Sequence, residues 1–102
     1  MATLQELTDR IRDAAAAGAV PDASIKLDLK GEGFVHIARG GVSNDDAPAD
    51  LVVTIAIRDL TAIAKGELDP TRAMMTGRMR ISDVALAMKL QPQIQFLFSK
   101  AA

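Results

Sequence analysis

Residues 66–90 read Gly-Glu-Leu-Asp-Pro-Thr-Arg-Ala-Met-Met-Thr-Gly-Arg-Met-Arg-Ile-Ser-Asp-Val-Ala-Leu-Ala-Met-Lys-Leu, and their punctuation decides the fold. Asp69 before Pro70 marks a helix start, because the carboxylate caps free amide donors while proline, lacking an amide hydrogen, suits the first helical position. Gly77 ends that helix. Arg78-Met79-Arg80-Ile81 alternates polar and apolar residues, the period of a half-buried strand. Asp83 then opens a helix over 84–90 in which Lys89 is the only charged residue. A helix apolar almost all round is expected to be buried on more than one side. In so short a chain, the question is what covers its second face.

Working back from this stretch, residues 50–57 form the longest expected strand. Leu51, Val53, Ile55 and Ile57 face one way, and the largely uncharged Val52, Thr54 and Ala56 the other, as in a central strand. Asp59 is expected to start the helix that follows. Near the N-terminus, Thr3-Leu4-Gln5-Glu6 has the reciprocal capping spacing, and Leu4, Leu7, Ile11, Ala14 and Ala15 fall on one helical stripe that covers a core. Gly18 to Pro21 should close this helix. Ile25, Leu27 and Leu29 alternate with charged residues, and Gly31-Glu32-Gly33 supplies a hairpin turn into Phe34-Val35-His36-Ile37. Residues 40–49 are polar loop by composition.

The succession Gly66, Leu68, Asp69, Pro70, Ala73, Gly77, Ile81 and Ala87 to Leu90, with Arg78, Met79 and Arg80 as like-for-like replacements, resembles the sterol carrier protein type 2 family. Its members share Gly-x-Leu-Asp-Pro-x-x-Ala-Phe-Phe-x-Gly-Lys-Leu-Lys-Ile followed by an Ala-Met-Lys-Leu helix. Residues 49–55 and 59–63 are similar to the family's acidic-capped strand and its following helix. About half the chain carries the likeness well. The resemblance implies an α+β domain with a hydrophobic cavity that binds sterols, fatty acids, acyl-CoA or phospholipids. The pattern departs from the family's in three ways. The Phe-Phe pair is replaced by Met74-Met75, the glycine before the last helix is absent, and the chain reads one strand short of five. Similarity around Asn44 to Ala49 would make the missing strand the first, an inner one in the family's sheet. Because an edge strand costs fewer ladder hydrogen bonds to lose, a vestigial third strand near Val42 and Ser43 is the preferred alternative.

Composition bounds the function independently. With 102 residues, 49% of them hydrophobic, the chain is expected to form a single domain over 1–102 with one core. The 12 basic and 13 acidic side chains are dispersed, net charge -1, leaving no electrostatic footprint for nucleic acid. There is no cysteine, hence no disulfide framework, thiolate nucleophile or thiolate metal site. The acidic N-terminal residues fit neither a secretory signal nor a membrane span. The C-terminal Ser99-Lys100-Ala101-Ala102 lacks a peroxisomal Ser-Lys-Leu ending. A cytoplasmic, bacterial-type protein is the expectation.

Candidates for chemistry lack partners. His36 is the only histidine; with no cysteine and only scattered carboxylates, it has no nucleophile to activate and no metal cluster to join. It reads as a strand histidine making a local hydrogen bond. The glycine pairs at 31–33 and 40–41 do not stand between a strand and a helix as phosphate loops require. Asp59, Asp69 and Asp83 all stand at expected helix starts, where capping is the ordinary use of aspartate. Arg72, Arg78 and Arg80 could meet a lipid headgroup or an acyl-CoA phosphate, or simply be solvated.

Methionine is unbranched and adaptable, so Met74, Met75, Met79 and Met88 suit either core gaps or a deformable ligand wall. The apolar helix 84–90 and the apolar tail Ile94, Phe96, Leu97 and Phe98 tip the reading toward a wall. A sheet of about four to five strands, antiparallel-rich and covered by short helices, offers limited area for all of it, and surplus apolar surface must find a ligand, a membrane or another chain. The reading is a lipid-binding or lipid-transfer protein, not an enzyme, without cofactor or metal, and with transient membrane contact an accompanying expectation. Leu60, Ile63, Met74, Met75, Met79, Ile81, Leu86, Met88, Leu90 and Phe96 are expected to line the cavity. The family resemblance selects their region, and periodicity and polarity the side chains. A second reading makes the tail from Pro92 to Phe98 a docking segment for a partner or a second copy. A third is an enzyme built on His36.

Overall fold

The structure, a computed structural model, describes residues 3–17, 23–39 and 41–100. The expected helix stop at Gly18 to Pro21, Gly40 and the terminal alanines Ala101 and Ala102 lie outside them. The elements in chain order are α1 (Leu4–Ala16), β1 (Ile25–Asp28), β2 (Phe34–Ala38), β3 (Gly41–Ser43), β4 (Leu51–Ile55), α2 (Ile57–Ala64), α3 (Pro70–Met75), β5 (Met79–Ile81), α4 (Val84–Lys89) and α5 (Gln91–Ser99). The fold is α+β. All five strands are present in one sheet of order β3-β2-β1-β4-β5, and the vestigial third strand expected near Val42 and Ser43 is β3. It is reduced to three residues at one edge, where the loss of ladder hydrogen bonds is smallest.

The sheet is mixed. β1 pairs antiparallel with β2 and parallel with β4, with Ile25 opposite Leu51 and Leu27 opposite Val53. β4 then pairs antiparallel with β5, Val53 facing Ile81 and Ile55 facing Met79. The parallel pair is clasped at its start: Asp50 accepts from the Ser24 backbone N–H at 3.0 Å and hydroxyl at 3.1 Å, while the Asp50 N–H donates to Ser24 Oγ at 2.9 Å. Alternation places Ile25, Leu27, Val35, Ile37, Leu51, Val53 and Ile55 on one face, where they are buried with Leu7, Ile11 and Ala14 of α1 and with Leu60, Ala73, Leu90, Leu97 and Phe98 of the other helices. The described helices thus cover one face of the sheet.

The other face has no helix layer among the described residues. Its side chains, including Lys26, Phe34, His36, Val52 and Thr54, are half-buried. The segment that follows β3 crosses them: Lys26 Nζ meets Asp46 at 2.6 Å, and His36 Nε2 lies 3.0 Å from the Pro48 carbonyl. The polar loop expected over 40–49 therefore contains both the short strand and this strap.

Local chemistry sets most boundaries. Thr3 caps α1 by accepting from the Glu6 N–H at 3.2 Å. Thr8 is buried in α1, donates to the Leu4 carbonyl at 2.7 Å and accepts from Asn44 Nδ2 at 2.9 Å, which ties α1 to the chain beyond β3. α2 differs from expectation. It begins at Ile57, which cuts β4 to five residues and moves Asp59 from the cap into the first turn. Its N-cap Ala56 has no side-chain oxygen; instead Glu32, from the β1–β2 turn, accepts from the Ile57 N–H at 3.1 Å. A cap donated from 25 residues away is invisible to a local reading. α3 ends in a Schellman arrangement: Gly77, at φ 76°, donates to the Met74 carbonyl and Arg78 to that of Ala73.

At the other end of α3, Asp69 accepts from the Thr71 N–H at 2.8 Å. Asparagine keeps a capping oxygen and alanine does not. Asp69→Asn is expected to cost a few tenths of a kcal/mol and Asp69→Ala about 1 kcal/mol in urea unfolding; equal losses for the two would show that the charge rather than the hydrogen bond holds this turn.

Candidate functional site

A cleft of about 860 Å³ opens where the helix layer runs off the sheet toward the β5 edge. Val53 of β4 and Met79 and Ile81 of β5 form its floor. They share a face because register sets Val53 opposite Ile81, and Ile55 opposite Met79. Ile63 and Ala64 at the end of α2, Leu68 in the following turn, and Pro70, Thr71 and Met74 of α3 make one wall. Val84, Ala87 and Met88 of α4 and Ile94 and Phe98 of α5 are also part of the lining. Its volume lies within the roughly 300–1,000 Å³ of small-molecule sites.

Of the side chains expected to line a cavity, Ile63, Met74, Met79, Ile81 and Met88 are at this cleft. Leu60 and Leu90 are not, being buried in the main core at the α2–sheet packing and at the α4–α5 junction. Leu86 packs against that core from the partly buried side of α4. Met74 and Met75 separate by helical geometry: Met74 turns to the cleft, whereas Met75 is 83% exposed. Phe96 is two residues from both Ile94 and Phe98, about 200° around the helix. It lines a smaller hollow against α1, beside Arg10 and Asp13, with Lys100 Nζ 5.5 Å above its ring.

The expectation that the helix over 84–90 is buried on more than one side is corrected. None of the α4 residues is buried, and Val84 and Met88 are 52% and 70% exposed. Only Leu86 and Ala87 touch the core. The second apolar stripe, Val84 and Met88 one turn apart, edges an open cleft instead of sinking into protein. That spacing could have selected Val84 once Met88 was chosen, and the same i, i+4 rule would have selected Ile94 and Phe98 in place of Phe96. Val53 and Leu68 carried no local signal, since pairing and turn geometry alone place them.

The polar candidates fall elsewhere. His36 belongs to the face of β2 opposite the buried Val35 and Ile37, so the sheet lies between it and the cleft. Asp69 and Asp83 each cap a helix, at 2.8 Å from Thr71 N and 3.0 Å from Leu86 N. Among the described residues no three or more His, Asp or Glu side chains gather as a metal site would need. Arg72, Arg78 and Arg80 are exposed, and none lines the cleft. Arg80 pairs with Thr54, placing it on the sheet's other face. The apolar tail is folded back as α5, with Leu97 and Phe98 buried against this same chain. No described helix is long and apolar enough to cross a membrane.

Fold and cleft define a small α+β sheet protein with an apolar hollow beneath its helices. The model of the SCP-2 sterol transfer family matches residues 4–95, and the chain belongs to that family. It is 38% identical over 72 residues to rabbit (Oryctolagus cuniculus) sterol carrier protein 2, a match covering 69% of this chain and 12% of that protein. It is 33% identical over 75 residues to rat (Rattus norvegicus) hydroxysteroid dehydrogenase-like protein 2, covering 72% of this chain and 14% of that one. The chain therefore spans about an eighth of the length of these relatives. Among solved structures, Sterol Carrier Protein 2 Like 2 from Aedes aegypti superposes with a TM-score of 0.68 at 27% identity, covering 85% of this chain and 92% of that one.

The two stripes of α4 make a test of the cleft. Leu86→Asp sets an unpaired charge against the core from a half-buried position and is expected to destabilise by about 1–3 kcal/mol. Met88→Asp places its charge at a wetted wall, costing less than about 1 kcal/mol. Thermal melts of the two variants without lipid check this; equal losses would mean that the α4 surface is solid core.

Proposed function

We propose that this protein is a non-catalytic lipid carrier that holds the apolar body of a sterol, fatty acid, acyl-CoA or phospholipid in the cleft between β5, α3, α4 and α5. The observation that carries the reading is the cleft itself. Its floor and most of its walls are aliphatic, aromatic or thioether side chains, with Asp69, Thr71, Gln91, Gln95 and Ser99 as the polar members, and Val84 and Met88 remain substantially exposed at its margin. Apolar surface left open in this way is stabilised when a ligand displaces its water. Membership of the SCP-2 sterol transfer family supports a lipid-binding or transfer role in general, and the names of the sterol carrier relatives agree with it.

The absence of chemistry in this proposal rests on position. His36 is separated from the cleft by the sheet, and its Nε2 lies at hydrogen-bond distance from the Pro48 carbonyl. A general base must reach the proton it removes. The rat relative is named for a dehydrogenase, but the match covers too little of that protein to bring its activity here. The docking-tail reading is weakened by Leu97 and Phe98, which are already used inside this chain.

Desolvation supplies the affinity. About sixteen methylenes at about 0.8 kcal/mol each, less several kcal/mol for lost freedom, leave about -8 kcal/mol, a micromolar dissociation constant. The chain has no Trp or Tyr, so fluorescent sterol, fatty-acid and acyl-CoA analogues can be titrated against a low background. Saturable one-site binding at micromolar or lower concentration is expected with at least one of them. No saturation with any would overturn the proposal.

A further inference from the structure

The lip of the cleft has a charge pattern that bears on which lipid enters. Along α5, Gln91, Gln95 and Ser99 recur every four residues and make one exposed stripe at the opening. The neighbouring stripe, Ile94 and Phe98, turns inward and is half-buried or buried. The start of α3 adds the exposed Asp69 and Thr71 to the same lining. All 12 Lys and Arg side chains of the sequence lie within the described residues, and none is part of the lining. The only ionisable side chain among the described lining residues is the carboxylate of Asp69.

A lipid with its body between α3, α4 and α5 brings its head to this lip. A carboxylate or phosphate head there finds no cation among the lining side chains to replace its hydration and one like charge among them, whereas a hydroxyl or carbonyl can exchange its water for glutamine amides and the Ser99 and Thr71 oxygens. The Ser99 hydroxyl already donates to the Phe96 carbonyl at 2.7 Å, which leaves its oxygen as an acceptor for a head-group hydroxyl. We infer that the cleft selects lipids with an uncharged, hydroxyl- or carbonyl-bearing head over lipids of equal chain length with an anionic head. This rests on the lipid-carrier reading and narrows it, because fatty acids and acyl-CoA become the poorer ligands.

The test uses dodecanol and laurate as a matched pair, each competing with a fluorescent sterol analogue. Dodecanol is expected to bind at least about tenfold more tightly. An alcohol also partitions better into any apolar hollow, so the ratio of the two affinities must respond to charge at the lip. Gln95→Lys is expected to lower the alcohol-to-carboxylate ratio by about fivefold, the worth of one exposed ion pair, and Gln95→Glu to leave it the same or raise it. Both substitutions are at an exposed position, and melting curves check that the fold is kept. If laurate matches dodecanol in the unaltered protein, or if the ratio is the same with lysine and glutamate at position 95, the selectivity is wrong while lipid carriage stands. If neither compound nor the sterol analogue binds, the carrier reading falls and the selectivity with it.

Discussion

The parallel pairing of β1 with β4 is the constraint on which the rest of the molecule depends. It seats β4 inside the sheet, so Leu51, Val53 and Ile55 are buried by the helix layer. It also makes β5 an edge strand, reached only after the chain has left the sheet through α2 and α3. The excursion and return enclose the space that becomes the cleft. Parallel strands need a crossover and cannot be joined by a tight turn. Here the connection from β1 to β4 passes through β2, β3 and the strap over 44–50, and the mutual clasp of Ser24 and Asp50 holds the two strand starts in register.

The second determinant is that the described helices lie on one face of a five-stranded sheet. α1, the start of α2, and α5 are enough to cover β2, β1 and β4 with a close-packed core, and Leu7, Ile11, Leu60 and Leu97 are almost wholly buried. Short helices α3 and α4, of six residues each, cannot seal the β5 edge as well. They stand apart and expose Val84, Met74 and Met88 between them. Two of these three are methionines, whose unbranched side chains can repack around ligands of different shape at little cost in strain. A hollow bordered by short elements and deformable side chains can open for a ligand while the core beneath keeps the fold.

Membership of the SCP-2 sterol transfer family and the open apolar cleft point the same way, although they are independent. The family likeness is carried by the turns and caps around α3 and α4, and the cleft by side chains that those turns hold apart. Asp69 connects the two, capping α3 and standing at the lip of the cleft. Adjacent positions on α3 diverge by about 100°, so of Met74 and Met75 only Met74 lines the cleft, and one adaptable side chain faces it there.

What the sequence determined by itself was local and periodic. The caps at Thr3, Asp69 and Asp83, the stop at Gly77, and the alternation in β1, β2, β4 and β5 were legible because each depends on residues within a few positions. The same locality explains the errors. The start of α2 at Ile57 is capped by Glu32, the burial of Leu60 and Leu90 depends on elements distant in the chain, and the open flank of α4 follows from the neighbours that short helices fail to provide. Periodicity identified apolar stripes without saying which would meet the core and which an empty space. Only the tertiary structure made that choice, because the free energy of an apolar side chain depends on what is packed against it, and that is set by strand order and register across the whole chain.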